Sequence, residues 1–179
     1  MHGAALRADR TVVCWGRNDY GQSTVPSGLR DVKSVVASGH DTFALKADGT
    51  VVAWGASSQG QLYIPEGLSD VAAIAATDFS VLALRKNGAV VAWGSSSTVP
   101  EGLKNVVGIY ATPTSAFAVK ADGAVVAWGD KQYGQLSIPQ LLPGQRWLSI
   151  RGGWQHVFGM AATLTPTPTQ PAAAQPPGR

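Results

Sequence analysis

Residue types that commonly support chemistry are scarce in this chain. Its single cysteine, Cys14, rules out an internal disulfide. The three histidines, His2, His40 and His156, share no metal-ligand spacing with each other, with cysteine or with carboxylates. The sequence also has no glycine-rich phosphate loop and no nucleophile motif. It therefore predicts no catalytic residues, no metal and no cofactor, and it argues against an enzyme.

Charged residues and long apolar runs are limited as well. Only 14% of the residues are charged, the net charge is +3, and the basic residues are scattered rather than clustered. This distribution argues against a nucleic-acid partner. No apolar run approaches the roughly 18 residues of a membrane-spanning helix, so we expect no membrane span. An apolar content of 45% instead favours a single domain with a buried core.

A repeat dominates the sequence. The stretch Val-Val-Ala-Trp-Gly occurs at 51–55, 90–94 and 125–129, with a close variant at 12–16. Its tryptophans follow one another at intervals of 39, 39 and 35 residues. A period of this size indicates one supersecondary unit stacked on copies of itself.

Each repeat is predicted to form a β-hairpin. Asp-Gly or Asn-Gly stands before the tryptophan stretch at 48–49, 87–88 and 122–123, which predicts a type I′ turn with positive φ at both central residues. The apolar runs on either side do not alternate with polar residues, so both sheet faces should be covered. The predicted hairpins lie near 5–16, 42–55, 81–94 and 116–129, with a partial last unit at 147–160.

The loop after each Trp-Gly carries a second signature. Gly-Gln occurs there at 21–22, 60–61 and 134–135, but the third copy lacks it and is four residues shorter. Pro-x-Gly-Leu then follows in the first three copies.

These motifs together resemble the regulator-of-chromosome-condensation repeat family, and the compact bacterial type that includes the β-lactamase-inhibitor propellers is the most similar. The resemblance extends over residues 2–160. It implies a ring of seven four-stranded blades that binds other proteins. Four hairpins are too few for that ring, which leaves three interpretations: a fragment of a longer propeller, an open arc completed by self-association, or closure with four blades. We favour the fragment or the open arc.

The predicted fold class is thus all-β, with β-propeller-type repeats in an incomplete, open propeller of about four blades over residues 1–160. Residues 161–179 are rich in threonine, proline and alanine, which predicts a disordered tail or linker. Two locations are compatible with the sequence. One is the cytoplasm, and the other, for a module of a longer bacterial protein, is the cell surface or the extracellular space.

The function predicted from these features is a non-catalytic protein–protein interaction scaffold, with a protein partner of unknown identity and self-association through open blade faces. The resemblance also implies an alternative, guanine-nucleotide exchange on a small GTPase, which the eukaryotic namesake performs on Ran. No residue of this sequence can be matched to an exchange site.

Candidate partner-binding residues occupy loop positions that vary between copies. The loop before the second strand of a unit contributes His40, Phe79 and Trp154, and the loop after Trp-Gly contributes Tyr20 and Tyr133. Aromatic side chains on the loops of a rigid scaffold are good interface anchors. The competing interpretation is that they cover the rim of the core.

Other polar residues are expected to be structural. The Asp-Gly and Asn-Gly turns account for Asp48, Asn87 and Asp122. Cys14 aligns with alanine in the other copies, which predicts a buried, inert thiol. His2 and His156 align at strand entry and are expected to bond neighbouring backbone.

Overall fold

The computed structural model describes residues 1–96 and 98–163, and these consist of strands, turns and loops. Within these ranges there is no helix that could cross a membrane. Residues 161–163 of the predicted tail 161–179 belong to the last strand, and the rest of that tail lies outside the described residues. The strands are β1 (His2–Leu6), β2 (Val12–Gly16), β3 (Val32–Ser38), β4 (Asp41–Lys46), β5 (Val51–Gly55), β6 (Val71–Ala76), β7 (Ser80–Arg85), β8 (Val90–Gly94), β9 (Val106–Ala111), β10 (Ser115–Lys120), β11 (Val125–Gly129), β12 (Gln145–Gly152) and β13 (Val157–Thr163).

The strands pair into five small antiparallel sheets. Three complete units have the orders β3-β4-β5, β6-β7-β8 and β9-β10-β11, while β1-β2 and β12-β13 form two-stranded sheets at the ends. Consecutive sheets contact each other mainly through β3, β6, β9 and β12, the first strands of the four later units, which we call the inner strands; β1 contacts β3 at the start of the arc. The result is an open propeller arc, which confirms the all-β propeller prediction.

The hydrophobic core lies between the sheets. Phe43 and Leu45 of β4 point toward the following sheet, where they pack with Ile74, Val81 and Trp93. We call this side of each sheet its forward face. Burial of both faces explains why the strands lack an apolar–polar alternation.

The opposite, backward face of each sheet carries its tryptophan. Trp54 of β5 packs with Ala44 against Val12 of the preceding sheet. Trp93 repeats this contact one unit later, and both indoles are buried. Each tryptophan is therefore part of the joint with the unit before it.

The turns differ from the predicted type I′. Gly49 has φ 86°, whereas Asp48 is not among the residues with positive φ. Gly49 N donates to Lys46 O (3.0 Å) and Lys46 N donates to Thr50 O (2.9 Å). This pattern is a type I turn followed by a left-handed glycine. The type I′ prediction is wrong because an Asp-Gly pair serves either turn, and here Asp48 accepts hydrogen bonds from Thr50 N and Oγ1.

The cysteine and strand-entry histidine predictions also need correction. Cys14 is only half-buried, although that burial raises the pKa of its thiol. His2 bonds a side chain of the next unit, the Thr42 hydroxyl, with 2.8 Å between Nε2 and Oγ1. Because Thr42 donates its own hydrogen to Gln22 O, its oxygen is free to accept from His2. His156 instead stacks on Phe158.

Candidate protein-interaction groove

A groove of about 760 Å³ runs along the inner side of the arc. One row of its lining occupies the same register position in the inner strands, namely Val36, Ala75, Tyr110 and Arg151. The row is formed because equivalent residues of stacked repeats lie side by side. The groove therefore draws residues from all five sheets of the arc.

Three of the five sequence-predicted residues line this groove: His40, Phe79 and Trp154. They precede β4, β7 and β13, and so occupy equivalent loops of three units. Phe79 and Trp154 are substantially exposed. These loops form one rim of the groove.

Tyr20 adjoins that rim. Its ring centroid lies 5.1 Å from that of His40, and the Arg17 guanidinium carbon lies 5.8 Å from the Tyr20 ring centroid. Arg17 also donates to His40 Nε2 (3.3 Å) and pairs with Asp19 (2.6 Å). The loop after β2 thus meets the loop before β4.

Tyr133 is connected to the rim through its own loop. Tyr133 N donates to Gln135 Oε1 (2.8 Å), and Gln135 Nε2 donates to Trp154 O (3.3 Å). Tyr133 itself is exposed and does not line the groove. The two loop rows that the sequence could not place relative to each other therefore adjoin along the same rim of the groove.

The Gly-Gln signature holds neighbouring units together. Gln61 Oε1 accepts from Gln59 N (2.9 Å), and Nε2 donates to Asp78 O of the next unit (3.0 Å). The main-chain carbonyl of Gln61 accepts from Trp93 Nε1 (2.7 Å). We refer to this set of bonds as the glutamine clasp. It fixes the groove rim, since Asp78 directly precedes Phe79.

Sequence reasoning missed the polar lining of the groove. Arg17, Asp78 and Arg151 all contribute to it, and Arg151 forms no ion pair with the residues that the structure describes. Burial raises the pKa of Asp78, while its bond from Ser38 Oγ (3.2 Å) opposes that shift. The one available signal was Arg151, which interrupts an otherwise uncharged row.

The groove has no metal-binding character in the described ranges. No group of three or more His, Cys, Asp or Glu residues there is arranged to hold a metal ion. Aromatic and aliphatic surface beside a few fixed polar groups suits a peptide segment better than an ion.

Comparisons with known proteins agree with this architecture. Residues 2–22 match the family model described as the regulator of chromosome condensation (RCC1) repeat. Among curated proteins, none matches this sequence.

Several solved structures share the fold. Prp20p of Saccharomyces cerevisiae is similar with a TM-score of 0.72 and 17% identity, over 92% of this chain and 55% of that one. The ectodomain of the Physcomitrella patens receptor kinase CR4 is similar with a TM-score of 0.72 and 24% identity, over 88% of this chain and 46% of that one. The CRINKLY WD40 ectodomain of the Arabidopsis thaliana receptor kinase ACR4 is similar with a TM-score of 0.71 and 23% identity, over 91% of this chain and 60% of that one.

The chain thus spans about half the length of these structures. At such identities the likeness shows the propeller fold alone, and the compact bacterial type stays a prediction. The repeat match and the shared fold confirm the similarity of this chain to the regulator-of-chromosome-condensation repeat family.

Proposed function

We propose that this chain is a non-catalytic protein-binding scaffold that holds a partner segment in its groove. The main support is the position of the five loop residues. His40, Phe79 and Trp154 line one groove, and the loops of Tyr20 and Tyr133 adjoin that groove's rim. Bonds within and between the units fix these loops, so little ordering entropy opposes binding.

The chemistry of the groove favours an extended segment with an apolar anchor and an acidic residue. Phe79 and Trp154 offer aromatic surface, and Tyr110 lies between them on the inner strand β9. The Arg151 guanidinium can pair with a carboxylate of the partner, whereas Arg17 is already paired with Asp19. A charge-assisted bond of this type would select acidic segments.

Selection from a library of linear peptides displayed on phage tests this proposal. Peptides selected on the wild-type chain should be enriched in acidic and apolar residues. Their affinity should fall at least about tenfold in Trp154→Ala and Phe79→Ala, because truncating a central aromatic anchor costs roughly 2 kcal/mol or more. The same peptides should lose affinity in Arg151→Gln.

Tyr63→Ala is the matched control. Tyr63 is an exposed loop aromatic that does not line the groove, so its truncation should leave peptide affinity unchanged. Equal losses in Tyr63→Ala and Trp154→Ala would contradict the groove as the site. Loss of stability in Phe79→Ala and Trp154→Ala with no loss of affinity would make these aromatics part of the core rim.

We also propose that residues 1–160 form one propeller module and that the isolated chain associates through its terminal sheet faces. The support is the exposure of side chains whose equivalents are buried in the inner units. Trp15 is 57% exposed and Phe158 is 61% exposed, whereas Trp54 is 8% and Phe43 1% exposed. Apolar patches of this kind favour association.

Guanine-nucleotide exchange on a small GTPase is the second candidate. The observation in its favour is the likeness to Prp20p, whose structure is described with binding to Gsp1p and histones. Faster release of a fluorescent guanine nucleotide from a purified small GTPase would support exchange. Binding of groove peptides without any acceleration would support the scaffold.

A further inference from the structure

The third joint of the arc, between the sheets β6-β7-β8 and β9-β10-β11, differs from the two before it. In those two joints the indole N–H donates to a glutamine main-chain carbonyl of the preceding unit. Trp54 Nε1 lies 3.0 Å from Gln22 O, and Trp93 Nε1 lies 2.7 Å from Gln61 O. The equivalent tryptophan in the third joint is Trp128, but the loop that should face it is four residues shorter and has no Gly-Gln.

A pocket of about 280 Å³ lies at the third joint. Trp128, Phe79, Ala116 and Asp130 are among its lining residues. In the part of the chain that the structure describes, no group accepts a hydrogen bond from Trp128 Nε1, and Trp128 is more exposed than Trp54 and Trp93. The pocket thus lies at the place where a glutamine carbonyl lies in the other joints.

The missing loop also removes apolar contact. The residue after the glutamine is Ser23 in the first unit, Leu62 in the second and Leu136 in the fourth. Each of the two leucines packs on the cluster of its joint. The cluster of the third joint receives Leu103 from the later Pro-x-Gly-Leu motif but no leucine from the loop itself. Ala116 stands where Thr42 bonds the carbonyl in the first joint, so the pocket wall is apolar at this position.

We propose that this pocket binds a short peptide segment of a partner protein, one that presents a main-chain carbonyl followed by a leucine-like side chain. The carbonyl accepts the Trp128 indole hydrogen, and the side chain covers the apolar wall at Ala116. The ligand thereby supplies what Gln61 and Leu62 supply within the chain at the preceding joint. Binding of this kind restores a buried hydrogen bond as well as apolar contact.

The site is separate from the groove but borders it. Phe79 lines both the groove and the pocket, so one partner chain can occupy both. All the contacts of the proposed peptide lie at the third joint, so its binding does not require a ligand in the groove.

The test uses the capped peptide Asp-Lys-Gln-Tyr-Gly-Gln-Leu-Ser, which copies residues 130–137 of the fourth loop. Titration into the ¹⁵N-labelled chain is followed by NMR of the indole N–H signals, and Trp128→Phe identifies the signal of Trp128. We expect a saturable shift of this signal, with the Trp54 and Trp93 signals unchanged. Replacing the leucine of the peptide by aspartate should weaken binding about tenfold or more.

The matched control replaces Ser95–Thr98 by that same eight-residue loop, which fills the pocket from within. In this variant the Trp128 signal should already be shifted, and added peptide should have no further effect. No shift in the wild-type chain at millimolar peptide would overturn the proposal. An equal shift in wild type and graft would also overturn it, because the peptide would then bind elsewhere.

Discussion

At the scale of single residues, the glutamine clasp concentrates several functions in one residue, Gln61. Gln61 closes its own loop, bonds the loop before β7 and, through its carbonyl, holds the Trp93 indole. The bond to the Trp93 indole is buried and the two bonds of the amide are partly buried, so leaving these groups unpaired is costly. The clasp therefore links loop conformation to the packing of neighbouring sheets.

Removal of the Gln61 amide should destabilise the fold. Gln61→Ala leaves Gln59 N and Asp78 O without their partner, so we expect a loss of about 1–3 kcal/mol in the free energy of unfolding. Urea denaturation measures this loss. Gln59→Ala, which truncates an exposed side chain of the same loop, should change stability by less than about 0.5 kcal/mol. Equal effects of the two substitutions would argue against the clasp.

The stability lost on replacing a tryptophan by alanine should depend on how deeply that tryptophan is buried. Trp93→Ala empties a well-packed joint and should cost about 3–5 kcal/mol. Trp15 occupies the equivalent position in the first sheet but is mostly exposed, so Trp15→Ala should cost about 1 kcal/mol or less. Chemical denaturation of both variants tests this pair. A cost below about 1 kcal/mol for Trp93→Ala would mean that Trp93 is not a core residue.

Asp78 should make stability depend on pH. Its folded-state pKa is raised, mainly by burial, so the folded state binds this proton more tightly than the unfolded state. Stability from this group is therefore fully present below the ordinary pKa of 3.8 and falls as the pH rises through the folded pKa. Asp78→Asn should remove this fall, so the variant should gain stability relative to wild type as the pH rises from about 3 to about 7. Unfolding curves at both pH values provide the measurement, and a parallel pH dependence of the two proteins would contradict it.

At the scale of elements, the first hairpin departs from the others in one residue. Arg10 has φ 64° where the later hairpins have Gly49, Gly88 and Gly123 with φ between 82° and 87°. A left-handed conformation is unfavourable for arginine and ordinary for glycine. The turn shape is thus kept by the surrounding strands at the expense of local strain.

Glycine at this turn should relieve that strain. We expect Arg10→Gly to stabilise the chain by up to about 1 kcal/mol. Gly49→Ala makes the opposite change, and its added Cβ would lie 3.2 Å from Val71 N and 3.3 Å from Asp70, so it should be destabilising. Thermal unfolding of the two variants tests the pair. Destabilisation by Arg10→Gly would show that the arginine side chain contributes more than its backbone conformation costs.

The elements also show which features a sequence of this kind can predict. The hairpins were predictable because turn residues and apolar runs recur together in several copies. The turn type was not, since Asp-Gly fits two geometries and Asp48 chooses between them through its bonds to Thr50. The left-handed residues Asp31, Asp70 and Asn105, with φ between 57° and 59°, stand directly before β3, β6 and β9, but no local pattern in the sequence assigned them a role.

The groove could be predicted only in part, because local sequence patterns reveal the repeated loops but not the curvature of the arc. Repeated loop positions placed His40, Phe79 and Trp154 in one row without any knowledge of the arc. Arg17 and Arg151 meet the same groove because stacked sheets curve, and that curvature depends on packing at each joint rather than on a local pattern. The short third loop was visible in the sequence, whereas the pocket beside Trp128 required the structure.

At the scale of the whole molecule, the two terminal sheets present different faces. The last sheet exposes its forward face, with Phe158 and Met160 about 60% exposed. The first sheet exposes its backward face, with Trp15. Inside the arc a forward face always packs on a backward face, as Phe43 and Leu45 pack on Trp93. Self-association should therefore be head-to-tail, with unlike surfaces in contact.

Polar substitutions on either terminal face should weaken this association. We expect the isolated wild-type chain to gain apparent mass with concentration over about 1–100 µM in sedimentation velocity. Phe158→Ser combined with Met160→Ser should weaken it at least about tenfold, since the hydrophobic anchor of one face is lost. Trp15→Ser should weaken association through the other face. A mixture of the two altered proteins should form heterodimers only, because each protein keeps one intact terminal face.

Tyr63→Ser is the control. Tyr63 is an exposed aromatic residue on an inner unit, so this variant should associate as the wild type does. A wild-type chain that stays monomeric throughout would contradict self-association, and equal weakening by Tyr63→Ser would place the contact away from the terminal faces.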